Sequence, residues 1–395
     1  MQIGSSWGWV EFFTRPNIGQ HATRWVSQAL ELGLAGSTQP SPYISAKMRM
    51  SAYALALLIC APGVAMAADR IAWPAKLPVY DHVVIVIEEN KDIQQILADD
   101  SRAPYIRSLA AAGASISQMF AEEHYSQGNY FWLFSGSNQN VGFADQVPSA
   151  ANHPDYPFMA SNLGEQLIKK GLSFKGYAES LPAIGAKIEF DPPNCKGRSC
   201  VYGRKHVPWI SFGNLPDGTT AQTSSNLTFA EFPADYAKLP TVAFVIPNLD
   251  HDMHNGAPEE SIPAGDDWLR RNLDGYYQWA KAHNSLLIVT FDENDDKRRY
   301  QGLTNPTVSP TPEYPPPDVL NEYLLDLRNR VVTIFAGAHI KPGVYAQGLG
   351  ITHVNLLRTL EAMYGLPKSG AQQPNAAGAG ISDDTIVTDI FEPMP

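Results

Sequence analysis

Five consecutive apolar residues, Val83 to Ile87, are all β-branched. Such a run suits a strand buried on both faces, as in a parallel sheet covered by helices. It stops at Glu88, Glu89 and Asn90. Further along, Pro240 to Ile246 and Ser285 to Phe291 repeat the pattern. They end in Asp250-His251-Asp252 and in Asp292-Glu293. Weaker strand patterns cover Ala114 to Phe120, Leu172 to Ala178 and Val331 to Phe335.

Helical spacing fills the intervals. Ile93, Ile96 and Leu97 predict a short helix, and Pro104 opens a second that stops at Gly113. An apolar helix follows the loop at Glu123, with Ser126 at or near its N-cap. Asn162 and Glu165 stand at capping-box spacing for a helix to Lys170. Trp268, Leu269, Leu273, Tyr276 and Tyr277 give one apolar face to a helix over 266–282. Thr352-His353 opens a late helix containing Leu356, Leu357, Leu360 and Met363. Residues 181–235 read as a long irregular region. The stretch 297–317 reads as a Pro-rich surface insertion, and 368–380 as a mobile Gly/Ala/Pro-rich tail. Alternating strands and helices predict an α/β fold, with a mostly parallel central sheet and helices on both faces.

The first 67 residues change the domain picture. Lys47 to Met50 form a short basic start, Ala52 to Val64 an apolar run, and Ala65-Met66-Ala67 a small-x-small cleavage pattern. This predicts a secretory signal peptide over 48–67, cleaved after Ala67, and a secreted or periplasmic protein. The apolar run is too short for an ordinary membrane span, so no stable membrane anchor is expected. Residues 1–47 then read as an extension from a start codon assigned too early, and 68–395 as a single domain. Cys60 falls in the discarded segment, leaving Cys195 and Cys200 to pair as a disulfide in an oxidising compartment.

Composition adds little: 44% of the 395 residues are apolar and 17% charged. The formal net charge of -11 argues against a nucleic-acid partner bound by electrostatics. It leaves a phosphate ester open as substrate, because a local cation can reverse the sign inside a pocket.

Three buried runs ending in acidic or amide side chains are hard to explain by solvation of loops. At the carboxyl ends of strands in an open α/β sheet they stand where ligands bind. Hard oxygen ligands suit one divalent cation such as Mg, Mn, Ca or Zn, whose identity the sequence does not name. Side-chain alternation makes Glu88 a bystander of Glu89. Ser126, at a helix start, is the candidate nucleophile, since metal coordination can activate a serine hydroxyl and a helix N-terminus favours a phosphate.

The chain resembles the phosphoesterase family that contains bacterial acid phosphatases and phospholipases C, within the alkaline phosphatase superfamily. The resemblance runs from about His82 to Phe391. It rests on Glu89-Asn90, on the block His124, Ser126, Asn129 and Tyr130, and on the block Pro247, Asn248, Asp252, Met253 and His254. Asp292-Glu293 and Thr352-His353 complete it. It implies that Glu89, Asn90, Ser126, Asp292 and Glu293 hold the metal. Ser126 would be the nucleophile, with His254 and His353 contacting the phosphoryl group or protonating the leaving oxygen. Asn129, His206 and His251 are the expected substrate-side residues. Where the family often has Pro and Asn, this chain has Gly128 and Val207.

The expected activity is that of an acid-phosphatase-type phosphomonoesterase acting through a phosphoserine. Alternatives are a phospholipase C-like phosphodiesterase and a non-catalytic secreted binding protein of the same fold. A sulfatase is disfavoured, since no cysteine stands at the nucleophile position. An exposed aromatic rim beside Ser126 would favour lipid head groups, and a narrow polar pocket monoesters. Oligomeric state is not legible.

Overall fold

The computed structural model describes residues 77–99, 101–142, 145–295, 329–378 and 380–392. The predicted extension 1–47, the signal peptide 48–67 and the insertion 297–317 lie outside the described residues. The strands are β1 (His82–Glu88), β2 (Ala114–Ile116), β3 (Met119–Phe120), β4 (Phe174–Ala178), β5 (Phe190–Asp191), β6 (Tyr202–Gly203) and β7 (Asn226–Thr228). They continue with β8 (Val242–Ile246), β9 (Ser285–Phe291), β10 (Arg330–Val331), β11 (Thr333–Gly337), β12 (Gly343–Tyr345) and β13 (Ile351–Thr352). The helices are α1 (Ile93–Leu97), α2 (Pro104–Ala112), α3 (Ser126–Ser135), α4 (Leu163–Lys169), α5 (Pro258–Ala280), α6 (His353–Met363) and α7 (Pro374–Gly378).

The main sheet runs β12-β2-β11-β9-β1-β8-β4-β7. Its pairs are parallel except where β11 meets β9 and β2. The β-branched run of β1 sits at the centre, with Val83 to Ile87 at most 1% exposed. Its neighbours are β8 and β9, the two other strands with acidic ends. Glu88 pairs with Phe291, and Val86 with both Val245 and Val289. That register delivers all three strand ends to one edge. Helices cover both faces, as the alternating pattern predicts: α2 and α5 pack together, and α3 packs with α4 and α6.

Three expectations change. The predicted strand over 114–120 is two strands, β2 in the main sheet and β3 in a small sheet with β10 and β13. The strand over 331–335 likewise divides between β10 and β11, and β11 runs against its neighbours. The segment 368–378 is packed: Ser369 is fully buried, Ala371 N donates to Gly136 O at 2.9 Å, and Gln372 bonds Asn355. Gly136 (φ 62°) allows that approach, since a Cβ there would lie 2.1 Å from Ser369 O.

Helix α5 starts eight residues before its predicted start and carries Pro263 inside it. A proline lacks the N–H that would bond the carbonyl four residues back. That carbonyl, Glu259 O, accepts instead from Arg102 Nη1 at 2.9 Å. Cys195 and Cys200 form the expected disulfide.

The irregular region has its own anchor. Trp209 is 1% exposed, and its Nε1 donates to Asn226 Oδ1 at 2.9 Å. Its ring lies over Gly176 of β4, where a Cβ would come within 2.1 Å of Cε2. The missing side chain is therefore what seats the 204–212 segment on the sheet. We expect Gly176→Ala to cost about 1–3 kcal/mol in urea unfolding, the range for overpacking a filled core. Turnover should fall with it, because Trp209 is three residues from His206. Unchanged stability would show that the segment is not anchored this way.

Candidate active site

At the carboxyl edge of β1 the chain turns sharply, with Asn90 at φ 52°, a conformation asparagine tolerates better than most residues. The exit is latched from both sides. Glu89 N donates to Asp252 O at 2.7 Å, after β8, and Asp292 N donates to Glu88 O at 2.9 Å, after β9. Asn90 N also donates to Asp292 Oδ1 at 2.9 Å.

Helix α3 brings the serine. All ten of its residues are buried, and Phe131 and Phe134 pack edge-on against Phe158, Phe212 and Phe244. Ser126 is the first helical residue and does not cap; Tyr125 holds the cap position. The Ser126 hydroxyl donates instead to Glu89 Oε2 at 2.9 Å. One turn on, Tyr130 OH donates to Glu89 Oε1 at 2.7 Å. The Tyr130 ring stacks on His206 at 5.1 Å. His206 Nε2 lies 3.0 Å from Glu89 Oε1, and its Nδ1 lies 3.2 Å from Asp252 Oδ2. Asp252 Oδ1 accepts His254 N at 2.8 Å, and Met253 between them is held at φ 74°.

Two carboxyl groups of this edge, Asp292 and Asp252, are shifted upward. Burial, then repulsion from Glu89 and Glu293, holds Asp292 well above the usual carboxylate range. Burial, then Glu89, does the same to Asp252. Glu293 is fully buried and its Oε2 lies 2.5 Å from His124 Nδ1.

Two overlapping donor sets could hold a cation. Ligand atoms of Glu89, His206 and His254 lie within 4.8 Å of one another. His206 Nδ1 faces Asp252 Oδ2 at 3.2 Å, the bracing that a metal-bound imidazole often has on its other nitrogen. An oxygen set shares Glu89 with it. Asn90 Nδ2 faces Glu89 Oε2, which leaves Asn90 Oδ1 buried without a hydrogen bond, and Asp292 Oδ2 is likewise buried without one. Unbonded buried oxygens beside Glu89 and Ser126 are what a hard divalent ion would satisfy.

Of the residues selected from sequence, Glu89, Asn90, Ser126 and Asp292 meet directly. His206 meets Glu89 directly, and His254 is tied to them through Asp252. Three others are directed elsewhere. Asn129 accepts the N–H groups of Glu122 and Glu123 and donates to Glu123 O at 2.6 Å, so its whole amide staples the preceding loop. His251 pairs with Glu179 at 2.9 Å beside Trp268. His353 Nε2 donates to Phe291 O at 2.8 Å, and burial pushes its pKa down to about 4, leaving it neutral. Its one N–H is committed, so it holds no proton for a leaving group. Tyr130 and Asp252 enter the sequence reading as motif residues but with no role at the site. Tyr130 stands four residues from Ser126, on the same helix face, which is a readable signal.

Gly128 has a physical reason. A Cβ there would lie 1.8 Å from Glu123 Oε1, whose carboxylate accepts from Trp132 Nε1 and Asn138 Nδ2. Glu123 occupies the space that a larger residue at 128 would take.

The family model described as the Phosphoesterase family matches residues 99–367. The chain belongs to this family, and it is a hydrolase acting on phosphoric esters. A Mycobacterium tuberculosis relative named phosphatidylinositol-3-phosphatase is 41% identical over 296 residues, covering 74% of this chain and 80% of the relative. A Kluyveromyces lactis relative named probable acid phosphatase is 28% identical, covering 53% of this chain and 47% of the relative. A solved alkaline phosphatase superfamily protein from Vibrio parahaemolyticus is similar at 11% identity, with a TM-score of 0.46 over 74% of this chain and 68% of that one.

Glu123 yields a pH prediction. Burial pushes it up to about 7, against the bonds from Trp132 and Asn138. A carboxyl with a raised folded pKa stabilises the fold fully below its unfolded value, near 4.3, and that contribution is lost as pH rises through about 7. Glu122, pushed up to about 8 chiefly by burial, acts in the same direction. Melts in chelator should therefore show stability falling from about pH 5 to pH 8, and Glu123→Gln should flatten part of that fall. Parallel profiles for the two proteins would refute the assignment.

Proposed function

We propose that the chain is an exported phosphomonoesterase that requires a divalent cation and passes through a phosphoserine at Ser126. The observation that carries this reading is the 2.9 Å bond from Ser126 Oγ to Glu89 Oε2 at a buried edge where Asn90 Oδ1 and Asp292 Oδ2 make no hydrogen bond. Glu89, Asn90, Ser126, Asp292 and Glu293 would hold the cation, whose role is to lower the serine's pKa and neutralise charge on the phosphoryl oxygens.

This chain's residues do the rest. Glu89 Oε2 receives the Ser126 hydroxyl hydrogen, so the nucleophile is oriented before substrate arrives. Tyr130 and His206 fix the other oxygen of Glu89. Ser126 Oγ attacks phosphorus, and the ester bond to the leaving oxygen breaks. His254, half-buried and braced through its backbone on Asp252, is placed to protonate that oxygen. Water then attacks the phosphoserine and regenerates Ser126 with release of inorganic phosphate.

The names of the relatives, phosphatidylinositol-3-phosphatase and acid phosphatase, support a monoester over a diester. A lipid-borne monoester is a second reading, favoured by Tyr125, which is 39% exposed beside Ser126. Export rests on the leader pattern over 48–67 and is supported by the Cys195–Cys200 disulfide.

The test is hydrolysis of p-nitrophenyl phosphate, bis(p-nitrophenyl) phosphate and a short-chain phosphatidylinositol 3-phosphate. Wild type should prefer the monoesters. Ser126→Ala should lower kcat by at least about 1000-fold, as loss of a nucleophile does. Prolonged dialysis against chelator should abolish turnover, and one divalent ion should restore it. Full activity of Ser126→Ala, or turnover that survives chelation, would refute the mechanism, and preference for the diester would refute the substrate class.

A further inference from the structure

The described site is built mainly from carboxylates, although its substrate is an anion. Glu89, Asp252, Asp292 and Glu293 are each at most 1% exposed. A phosphoryl group entering beside them needs fixed positive charge and N–H donors of its own. Lys91 does not supply them. Its Nζ faces the carbonyl oxygens of Glu89, Asn90 and Met253, at 3.5, 3.0 and 2.8 Å.

Lys205 stands differently. It precedes His206, whose ring contacts Glu89. Its Nζ donates to Asp145 Oδ2 at 2.8 Å. Asp145 Oδ1 in turn accepts the backbone N–H of Gln127 at 3.2 Å. Gln127 is the second residue of α3, directly after Ser126. A single carboxylate thus ties an ammonium group to the start of the helix that carries the nucleophile.

An ammonium has three N–H donors. Asp145 is the only partner of Lys205 among the described residues, which leaves two donors open. The Lys205 side chain is 12% exposed, so it is largely withdrawn from bulk water yet not sealed. Burial alone would lower its pKa, but Asp145 and then Glu89 outweigh that and raise it, so the ammonium stays charged. Sequence reasoning selected His206 and gave its neighbour Lys205 no role, because a lysine between Arg204 and His206 carries no spacing signal of its own.

We propose that Lys205 is a ligand of the phosphoryl oxygens and that Asp145 is its positioning residue. The inference rests on the phosphoserine reading above. In that reading the nucleophile helix and the ammonium group move as one unit, so charge on the transferred group is met from a fixed distance. A purely structural Lys205 would serve only to balance the buried acids and to hold the 204–212 segment.

Inorganic phosphate, as a competitive inhibitor of p-nitrophenyl phosphate hydrolysis, separates the two roles. Lys205→Met should raise the Ki for phosphate by about 10- to 100-fold, the range for losing a charge-assisted hydrogen bond. Its melting temperature should stay near that of wild type, and Lys205→Arg should recover most of the phosphate affinity. Asp145→Asn should weaken phosphate less than Lys205→Met, since the ammonium remains but is no longer fixed. A folded Lys205→Met with wild-type Ki overturns the proposal. If Lys205→Met melts below assay temperature, Lys205→Gln and Asp145→Asn carry the test, and unchanged Ki in both folded variants overturns it equally. An active Ser126→Ala defeats the phosphoserine reading and this proposal together. An inactive Ser126→Ala beside an unaltered Lys205→Met defeats the Lys205 assignment alone.

Discussion

Three adjacent parallel strands deliver carboxylates to one buried edge, and nearly everything else at that edge answers the electrostatic problem this creates. Glu89 leaves the central strand, Asp292 follows β9, and Asp252 lies in the loop after β8, held to Glu89 by the bond from Glu89 N to Asp252 O. None is more than 1% exposed. Burial and mutual repulsion both disfavour the charged forms, which is why Asp252 and Asp292 hold their protons far above the usual range. Such a cluster is stable only if donors or a cation face it.

The surrounding elements read as suppliers of those donors. Helix α3 contributes two hydroxyls one turn apart, from Ser126 and Tyr130, one to each oxygen of Glu89. The irregular 204–212 segment contributes His206, wedged between Glu89 and Asp252, and is itself seated by Trp209 over Gly176. Helix α3 can come this close because it carries no charged residue and is buried on every side. Its first turn accommodates Glu123 through the missing side chain at Gly128. The unbonded oxygens of Asn90 and Asp292 mark where donors from the protein run out.

Much of this was legible along the chain. The β-branched run from Val83 to Ile87 and the acidic ends of three strands predicted a β1 buried on both faces and the shared edge. What was not legible has a common cause. The antiparallel β11 and the split of 114–120 depend on pairing partners far away in the chain, which local pattern does not encode. The 368–378 segment has the composition of a mobile tail, but Ser369, Gln372, Gln373 and Ala376 are buried, and a backbone bond to Gly136 and a side-chain bond to Asn355 hold it. Asn129, His251 and His353 have residue types suited to catalysis, yet the Asn129 amide, His251 Nδ1 and His353 Nε2 are engaged by Glu123, Glu179 and Phe291. Residue type announces capacity for chemistry, and only geometry says where that capacity is directed.

The most direct test of a cation answering this cluster is the proton count on binding. Burial and the neighbouring Glu89 favour the protonated form of Asp292 in the cation-free protein, so its ligation by a cation is expected to release protons. Calorimetric titration of chelator-treated protein with Mg, Mn, Ca and Zn, in two buffers of different ionisation enthalpy at about pH 7, measures that release. The expected result is binding of one ion with net proton release, reduced in Asp292→Asn. Absence of binding by all four ions, or binding that takes up protons, would contradict the proposed centre.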